Sequence, residues 1–268
     1  MIATIIILAG RRSGTVDALA AEHGVDDKCL VPVAGIPMLA HVLDAALVAS
    51  AGMVVVSTHN PDLKPAILHH LDLASVGRLH FVPAADNLAD SVMKAAAAAK
   101  FPLLVTTADA CLLSASTMAE IDAAARSSGA DAAVALARKA DVLAAHPDGQ
   151  RRFYGFSDVE LSNCNAYWLE SPAAMRAAEA FRGGGQFIKK PLRVLRAFGI
   201  LNLLRFRFGL GPLHVMFDRL GRHMQLKLVP ILVSDGAAAI DVDNKRSLAV
   251  TEEVMAIRAA SAKASRAA

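Results

Sequence analysis

Cysteine is the first thing this chain has little of. Cys29, Cys111 and Cys164 lie far apart and form no C-x-x-C pair. That excludes a thiolate zinc knuckle and a disulfide framework, and it suits a reducing compartment. Aromatic residues make up only 5% and are not interleaved with basic ones, so a base-stacking platform for single-stranded nucleic acid is excluded. A net charge of +3 is compatible with small anionic substrates and short of a nucleic-acid surface. No apolar run reaches the ~18 residues that a spanning helix needs. The charges follow the apolar opening run instead of preceding it, so that run is expected to be a strand and not an export signal. The expected location is cytoplasmic. No G-x-G-x-x-G follows the first strand, which disfavours a dinucleotide-binding dehydrogenase. No internal repeat is visible.

What the chain does have is core-forming material, 54% hydrophobic residues against 20% charged. Its opening organises the rest. Residues 2–8 form a β-branched run that reads as a buried strand. It stops at Ala9-Gly10 and enters a loop carrying Arg11, Arg12, Ser13 and Gly14, and the chain returns through Lys28 to a second apolar stretch at 30–33. A strand feeding a small-residue loop with two arginines suits a triphosphate, because backbone N–H groups can approach the oxyanions while the cations offset their charge.

Helices are expected at 38–50, 63–73, 91–100 (capped by Asp90 or Ser91) and 116–127, alternating with strands at 53–57, 79–82, 103–106 and 132–137. This rhythm predicts a three-layer α/β/α fold around a mostly parallel sheet. Ligands of such sheets bind beyond the carboxyl ends of the strands, where Gly10, His59 and Asp109 fall. Past Arg138 the pattern changes. A hairpin is expected at 152–156 and 159–161, strands at 165–169, 226–233 and 239–242, and helices at 172–182 and 245–259, with 261–268 a frayed tail. Between them, 186–222 is basic and apolar, with Lys189, Lys190, Arg193, Arg196, Arg205 and Arg207 set among Phe, Leu and Ile. Two helices are expected there, divided near residues 209–211. They would either pack on the domain with the arginines reaching water, or lie on an anionic membrane surface and cover a lipid-linked acceptor. The expected organisation is one domain over 1–260, with a nucleotide-binding half (1–137) and an acceptor half (138–260).

The opening motif also carries a resemblance. Leu8, Ala9, Gly10, Ser13, Lys28, Leu30, Pro32, Val33, Gly35, Pro37 and Leu39 resemble the first motif of the MobA-like nucleoside-triphosphate transferases, whose openings read L-A-G-G-x-S-x-R-M-G-x-D-K. Arg11 stands where a second glycine is usual, and the stretch from Thr15 to Asp26 is extra. The likeness covers 1–137 best and returns at 239–250. It implies a Rossmann-like GT-A fold and an Mg²⁺-dependent nucleotidyltransferase. Such an enzyme moves a nucleoside monophosphate from GTP or CTP onto a phosphorylated acceptor and releases pyrophosphate.

In-line transfer at phosphorus needs alignment and charge neutralisation more than a protein nucleophile. A basic loop and carboxylates at strand ends are the residue types that supply this. By resemblance, Leu8, Ala9, Gly10, Arg11, Arg12 and Ser13 cradle the triphosphate, and Lys28 stabilises the charge at the α-phosphate. Asp109, in Thr106-Thr107-Ala108-Asp109, matches the family's metal-binding aspartate, its other reading being a turn cap. Asp243, with Asp241 in support, matches the D-(I/V)-D tail and would be the second ligand of Mg²⁺; alternation along a strand would point both at one ion. Ser91 is open between a helix cap and a contact with the base. Asn165, in Ser162-Asn163-Cys164-Asn165, is open between a turn residue and an acceptor contact, where Asp241 would join it. Two other classes remain: a GT-A glycosyltransferase, disfavoured because the D-x-D lies late in the chain, and a non-catalytic nucleotide-binding or membrane-associated module, which needs no set such as Lys28, Asp109 and Asp243.

Overall fold

The computed structural model describes residues 2–10, 17–180 and 211–267. The opening run forms β1 (Ile2–Leu8). Next come α1 (Ala18–Glu22) and a small antiparallel pair, β2 (Pro32–Val33) and β3 (Ile36–Pro37). The alternation then proceeds through α2 (Met38–Ala49), β4 (Ser50–Thr58), α3 (Leu63–Leu68), α4 (Leu73–Val76), β5 (Leu79–Pro83), α5 (Leu88–Ala96), β6 (Leu103–Thr107), α6 (Ala115–Ser127) and β7 (Ala132–Arg138). The remaining elements are α7 (Lys139–Ala145), β8 (Tyr154–Gly155), β9 (Glu160–Leu169), α8 (Met175–Ala180), α9 (Leu213–Met224), β10 (Leu228–Leu232) and α10 (Lys245–Ala267).

One sheet runs β10-β7-β9-β6-β1-β4-β5, with β8 hydrogen-bonded to β9. β1 is parallel to β4 and to β6, β4 to β5, and β10 to β7, whereas β9 is antiparallel to β6, β7 and β8. The three-layer, mostly parallel sheet is therefore present, and both halves of the chain contribute strands to it. Because side chains alternate along a strand, β1 feeds both faces. Ile5 and Ile7 pack with Leu39, Leu43, Met118 and Ile121 of α2 and α6, while Ile6 packs with Val92 and Ala95 of α5 and Met175 of α8. α9 lays Leu213 and Phe217 against Leu136 and Leu161. Its apolar face is thus covered by the sheet, which is the packed reading of that part of the basic segment. The rest of that segment, including the six named cations and the first of its two expected helices, lies outside the described residues.

Several local expectations are corrected. The helix expected at 63–73 is two short ones, α3 and α4, broken at His69–Asp72. α5 begins at Leu88, capped by Asn87, whose side chain accepts from the Asp90 amide at 3.0 Å, and not by Asp90 or Ser91. The strand expected at 165–169 is the second half of the ten-residue β9. The expected strand at 239–242 is absent; a tight 3-10 turn at Gly236–Ala239 takes its place. Small residues explain this turn: a Cβ on Gly236 would come within 2.2 Å of the Asp141 backbone, so the turn packs directly on α7. α10 runs on to Ala267, beyond residue 259.

Candidate active site

β1 is the pivot of the sheet: the chain moves from it to β4 and β5 on one side and to β6 on the other, which creates a crevice at the carboxyl ends. Those ends are stitched together by backbone bonds. Ala9 donates to Ser57 O (2.8 Å), Ala84 to Thr58 O (2.8 Å) and Ala108 to Leu8 O (3.1 Å). Leu8, Ala9 and Gly10 thus line the rim beside the turn that bears Asp109. Gly10 faces His59 so closely that a Cβ there would sit 3.3 Å from Nδ1. Arg11, Arg12 and Ser13 lie outside the described residues.

Lys28 opens a one-turn 3-10 segment, Lys28–Leu30. The turn is tied down from below, since the preceding Asp27 is buried and its carboxylate accepts from the Asn60 side-chain amide. Asn60 is itself fixed to the end of β4 by its backbone N–H, which donates to Thr58 Oγ1 at 3.1 Å. The ammonium of Lys28 donates to Asp109 Oδ2 at 2.8 Å and to Asp243 Oδ1 at 2.7 Å. Burial works to lower its pKa, but the two carboxylates outweigh that and hold it above the ordinary lysine range.

Asp109 is oriented by Thr107, whose hydroxyl donates to Oδ1 at 2.6 Å. Its carbonyl accepts from the Val242 amide at 3.1 Å, which brings the Asp241–Asp243 segment alongside. Asp243 stands at the entry of α10, where its amide donates to Ser247 Oγ at 2.8 Å. Asp109, Asp241 and Asp243 each offer a carboxylate oxygen within 4.8 Å of the others. The two late aspartates therefore converge as expected, although an irregular segment carries them and not strand alternation.

Asp241 is the more enclosed of the pair. Gln150 Nε2 donates to its Oδ1 at 2.9 Å and to Ala239 O at 2.8 Å, and Asn165 Nδ2 reaches Oδ2 at 3.4 Å. Burial, then the neighbouring charges of Asp243 and Asp109, push this carboxyl up to about 6. Asn165 holds a left-handed backbone at φ +50°, an uncommon setting for a non-glycine residue. Its amide N–H donates to Asn163 Oδ1 at 3.1 Å, and Asn163 Nδ2 also donates to the Tyr167 hydroxyl at 2.7 Å.

Ser91 is buried in the first turn of α5 and ties down the loop that leads into it. Its Oγ accepts from the Ala85 amide at 2.9 Å and donates to Asn87 O at 2.9 Å. Lys28, Asp109, Asp243, Asp241 and Asn165 are thus brought together, whereas Ser91 lies in the first turn of α5 and bonds to the 85–87 loop. Sequence reasoning missed Asp27, Asn60, Thr107, Gln150 and Asn163. Only Asp27, in the Asp-Lys pair, carried a usable signal. All three cysteines are buried, and burial raises each thiol, Cys29 to about 12. None is poised as a nucleophile.

Three hydrogen-bond-oriented carboxylates can hold a hard divalent cation, and an ammonium beside them can meet phosphate oxygens. Among solved structures, a hypothetical transferase from Thermus thermophilus superposes with a TM-score of 0.75 at 24% identity, over 92% of this chain and 100% of that one. The 4-diphosphocytidyl-2C-methyl-D-erythritol synthase of Anaerococcus prevotii gives 0.55 at 11%, over 95% and 98%. A CMP:2-keto-3-deoxy-manno-octonic acid synthetase complexed with CTP gives 0.54 at 12%, over 96% and 99%. These likenesses concern the fold. No curated protein matches the chain. A family model described as the MobA-like NTP transferase domain matches residues 5–190, and by that match the chain belongs to the MobA-like NTP transferase family.

Proposed function

We propose that this protein is an Mg²⁺-dependent nucleotidyltransferase that moves a nucleoside monophosphate from GTP or CTP to a phosphorylated acceptor. The observation that carries the reading is the meeting of Lys28, Asp109 and Asp243, with Asp241 beside them, beyond the carboxyl ends of β1 and β6. An acceptor phosphate oxygen attacks the α-phosphorus, the bond to the bridging oxygen breaks, and pyrophosphate leaves with its electron pair. Gly10 and the Arg11–Ser13 loop cradle the triphosphate. The ammonium of Lys28 offsets charge as it builds on the α-phosphate and the leaving group. Asp109 and Asp243, with Asp241 in support, fit Mg²⁺ as all-oxygen ligands. When bound, that ion neutralises and orients the phosphates.

Asn165 and Asp241 face the acceptor side, and Ser91 holds the loop that approaches the base. The acceptor is a sugar, polyol or lipid-headgroup phosphate. The described helices include none long and apolar enough to cross a membrane; contact with a lipid-linked acceptor would run through the part of 186–222 outside α9, whose apolar face packs on the sheet.

The test is pyrophosphate release from each NTP with Mg²⁺ and a panel of phosphorylated acceptors. Lys28→Ala and Asp109→Ala should each lower turnover by about 10²-fold or more, the size expected for a transition-state charge contact, with far-UV circular dichroism unchanged. Undiminished turnover in both variants would overturn the assigned roles.

A further inference from the structure

The arrangement around Lys28 says more than that a cation stands near phosphates. One ammonium bridges two carboxylates from distant parts of the chain, at 2.8 Å and 2.7 Å. Lys28 and Asp109 are largely shielded from water, at 23% and 22% side-chain exposure, so that arm is less screened than an ordinary surface pair, whereas Asp243 is 59% exposed and its arm is the more screened. The oxygens it engages belong to the same carboxylates whose atoms gather within 4.8 Å of one another and of Asp241. An ammonium and a divalent cation that compete for the same carboxylates repel each other, so Lys28 in this position opposes a metal ion on those carboxylates.

We propose that Lys28 is the resident counter-ion of the acidic cluster. It holds Asp109 and Asp243 together in the nucleotide-free protein, and it is handed to the triphosphate when nucleotide and metal arrive together. This rests on the reading of the site given above and adds an order of events to it. The ammonium needs a replacement partner before it leaves two carboxylates, and the triphosphate is that partner. The carboxylates need a replacement cation once it has left. Binding of NTP and of metal is therefore positively coupled through a single side chain, and by linkage the coupling is reciprocal. The cluster with Lys28 in place binds a divalent cation poorly without nucleotide, which keeps the site from being occupied unproductively. The tether at Asp27 and Asn60 fixes the base of the lysine turn, so the exchange is a swing of the side chain and not a movement of the loop.

The experiment is a titration of the full chain with Mn²⁺ alone, free ion being followed by electron paramagnetic resonance. Lys28 is compared with Lys28→Met, which keeps the apolar stem and removes the charge. The inference predicts that Lys28→Met binds Mn²⁺ at least ~10-fold more tightly than the unaltered protein without nucleotide, a shift in keeping with removing one close like charge. Equal or weaker Mn²⁺ binding by a folded Lys28→Met would overturn it.

A second measurement needs no variant. In a crystal of the unaltered protein soaked with Mn²⁺ alone, bound metal should be accompanied by Lys28 Nζ more than hydrogen-bond distance from both carboxylates. Metal seated on Asp109 and Asp243 with both lysine bonds intact would refute the exchange. Neither readout uses NTP. A protein that binds Mn²⁺ as predicted but transfers no nucleotide would keep this inference for the metal and overturn the transferase reading. Turnover with no Mn²⁺ gain in Lys28→Met would do the reverse.

Discussion

At the residue scale, Asp241 is a carboxyl held well above its ordinary range. Its carboxyl is pushed up to about 6, first by burial and then by the charges of Asp243 and Asp109, from an ordinary value near 3.9. The sign for stability follows from which state holds the proton. As pH rises from about 4 to 6, the unfolded chain releases this proton first while the folded chain retains it. The folded state therefore loses stability across that interval, and the cost is complete above about 6. Asp241→Asn should remove the cost. In metal-free buffer at about pH 7.5 the variant should melt higher than the unaltered protein, and the difference should vanish near pH 4. An equal loss of Tm at both pH values would show that Asp241 acts through its hydrogen bonds to Gln150 and Asn165 and not through its charge. With Mg²⁺ present the order should reverse, since a cation favours the ionised form.

At the scale of elements, the piece that delivers Asp241 and Asp243 is the turn at Gly236–Ala239. Its position depends on contact with α7: a Cβ at Gly236 would meet Asp141 C and O at 2.2 Å and Val142 N at 2.5 Å. Gly236→Ala should cost ~1–3 kcal/mol by overpacking and also weaken divalent-cation binding, because the displaced turn carries the carboxylates away from Asp109. Calorimetric unfolding and an Mn²⁺ titration on one sample check both parts. A stability loss with unchanged metal binding would detach the turn from the site.

The same turn shows where sequence reading stops. Ile240-Asp241-Val242-Asp243 alternates like a strand, and from that pattern a strand is expected. The run of Gly and three Ala before it can instead sit flush on a neighbouring helix, and that contact decides the backbone. Asp241 and Asp243 were still legible as a convergent pair, because the motif matched a family tail. Gln150 was not legible, since nothing in a glutamine announces a partner about 90 positions away in the chain, as at Gln150–Asp241, and Asn163 was not, because its bonds to Asn165 and Tyr167 depend on the left-handed backbone at Asn165. The cap of α5 fails for a related reason. Asp90, Ser91 and Asn87 are all competent caps, and the packing of Ala89 and Val92 into the core fixes which of them stands at the first turn.

At the scale of the whole molecule, the alternation of strand and helix was readable through residue 137 because short continuous apolar strands, buried on both faces, alternate with helices that bury one face. The second half was harder. β9 enters between β6 and β7 as an antiparallel strand, a placement set by pairing across long sequence distances. That insertion sets Asn165, on β9, beside Asp241. It also makes the two halves of the chain parts of one sheet.

On the reading proposed above, this sheet presents a site for a nucleoside triphosphate and a divalent cation together. The most direct measurement is the thermal stability of the protein with each of the four NTPs, with and without Mg²⁺. Ligand that binds only the folded state raises Tm by mass action. The account predicts a rise of several degrees with GTP or CTP that appears only when Mg²⁺ is present and is lost in Asp109→Ala. No shift with any NTP, or a shift of equal size with and without Mg²⁺, would contradict it.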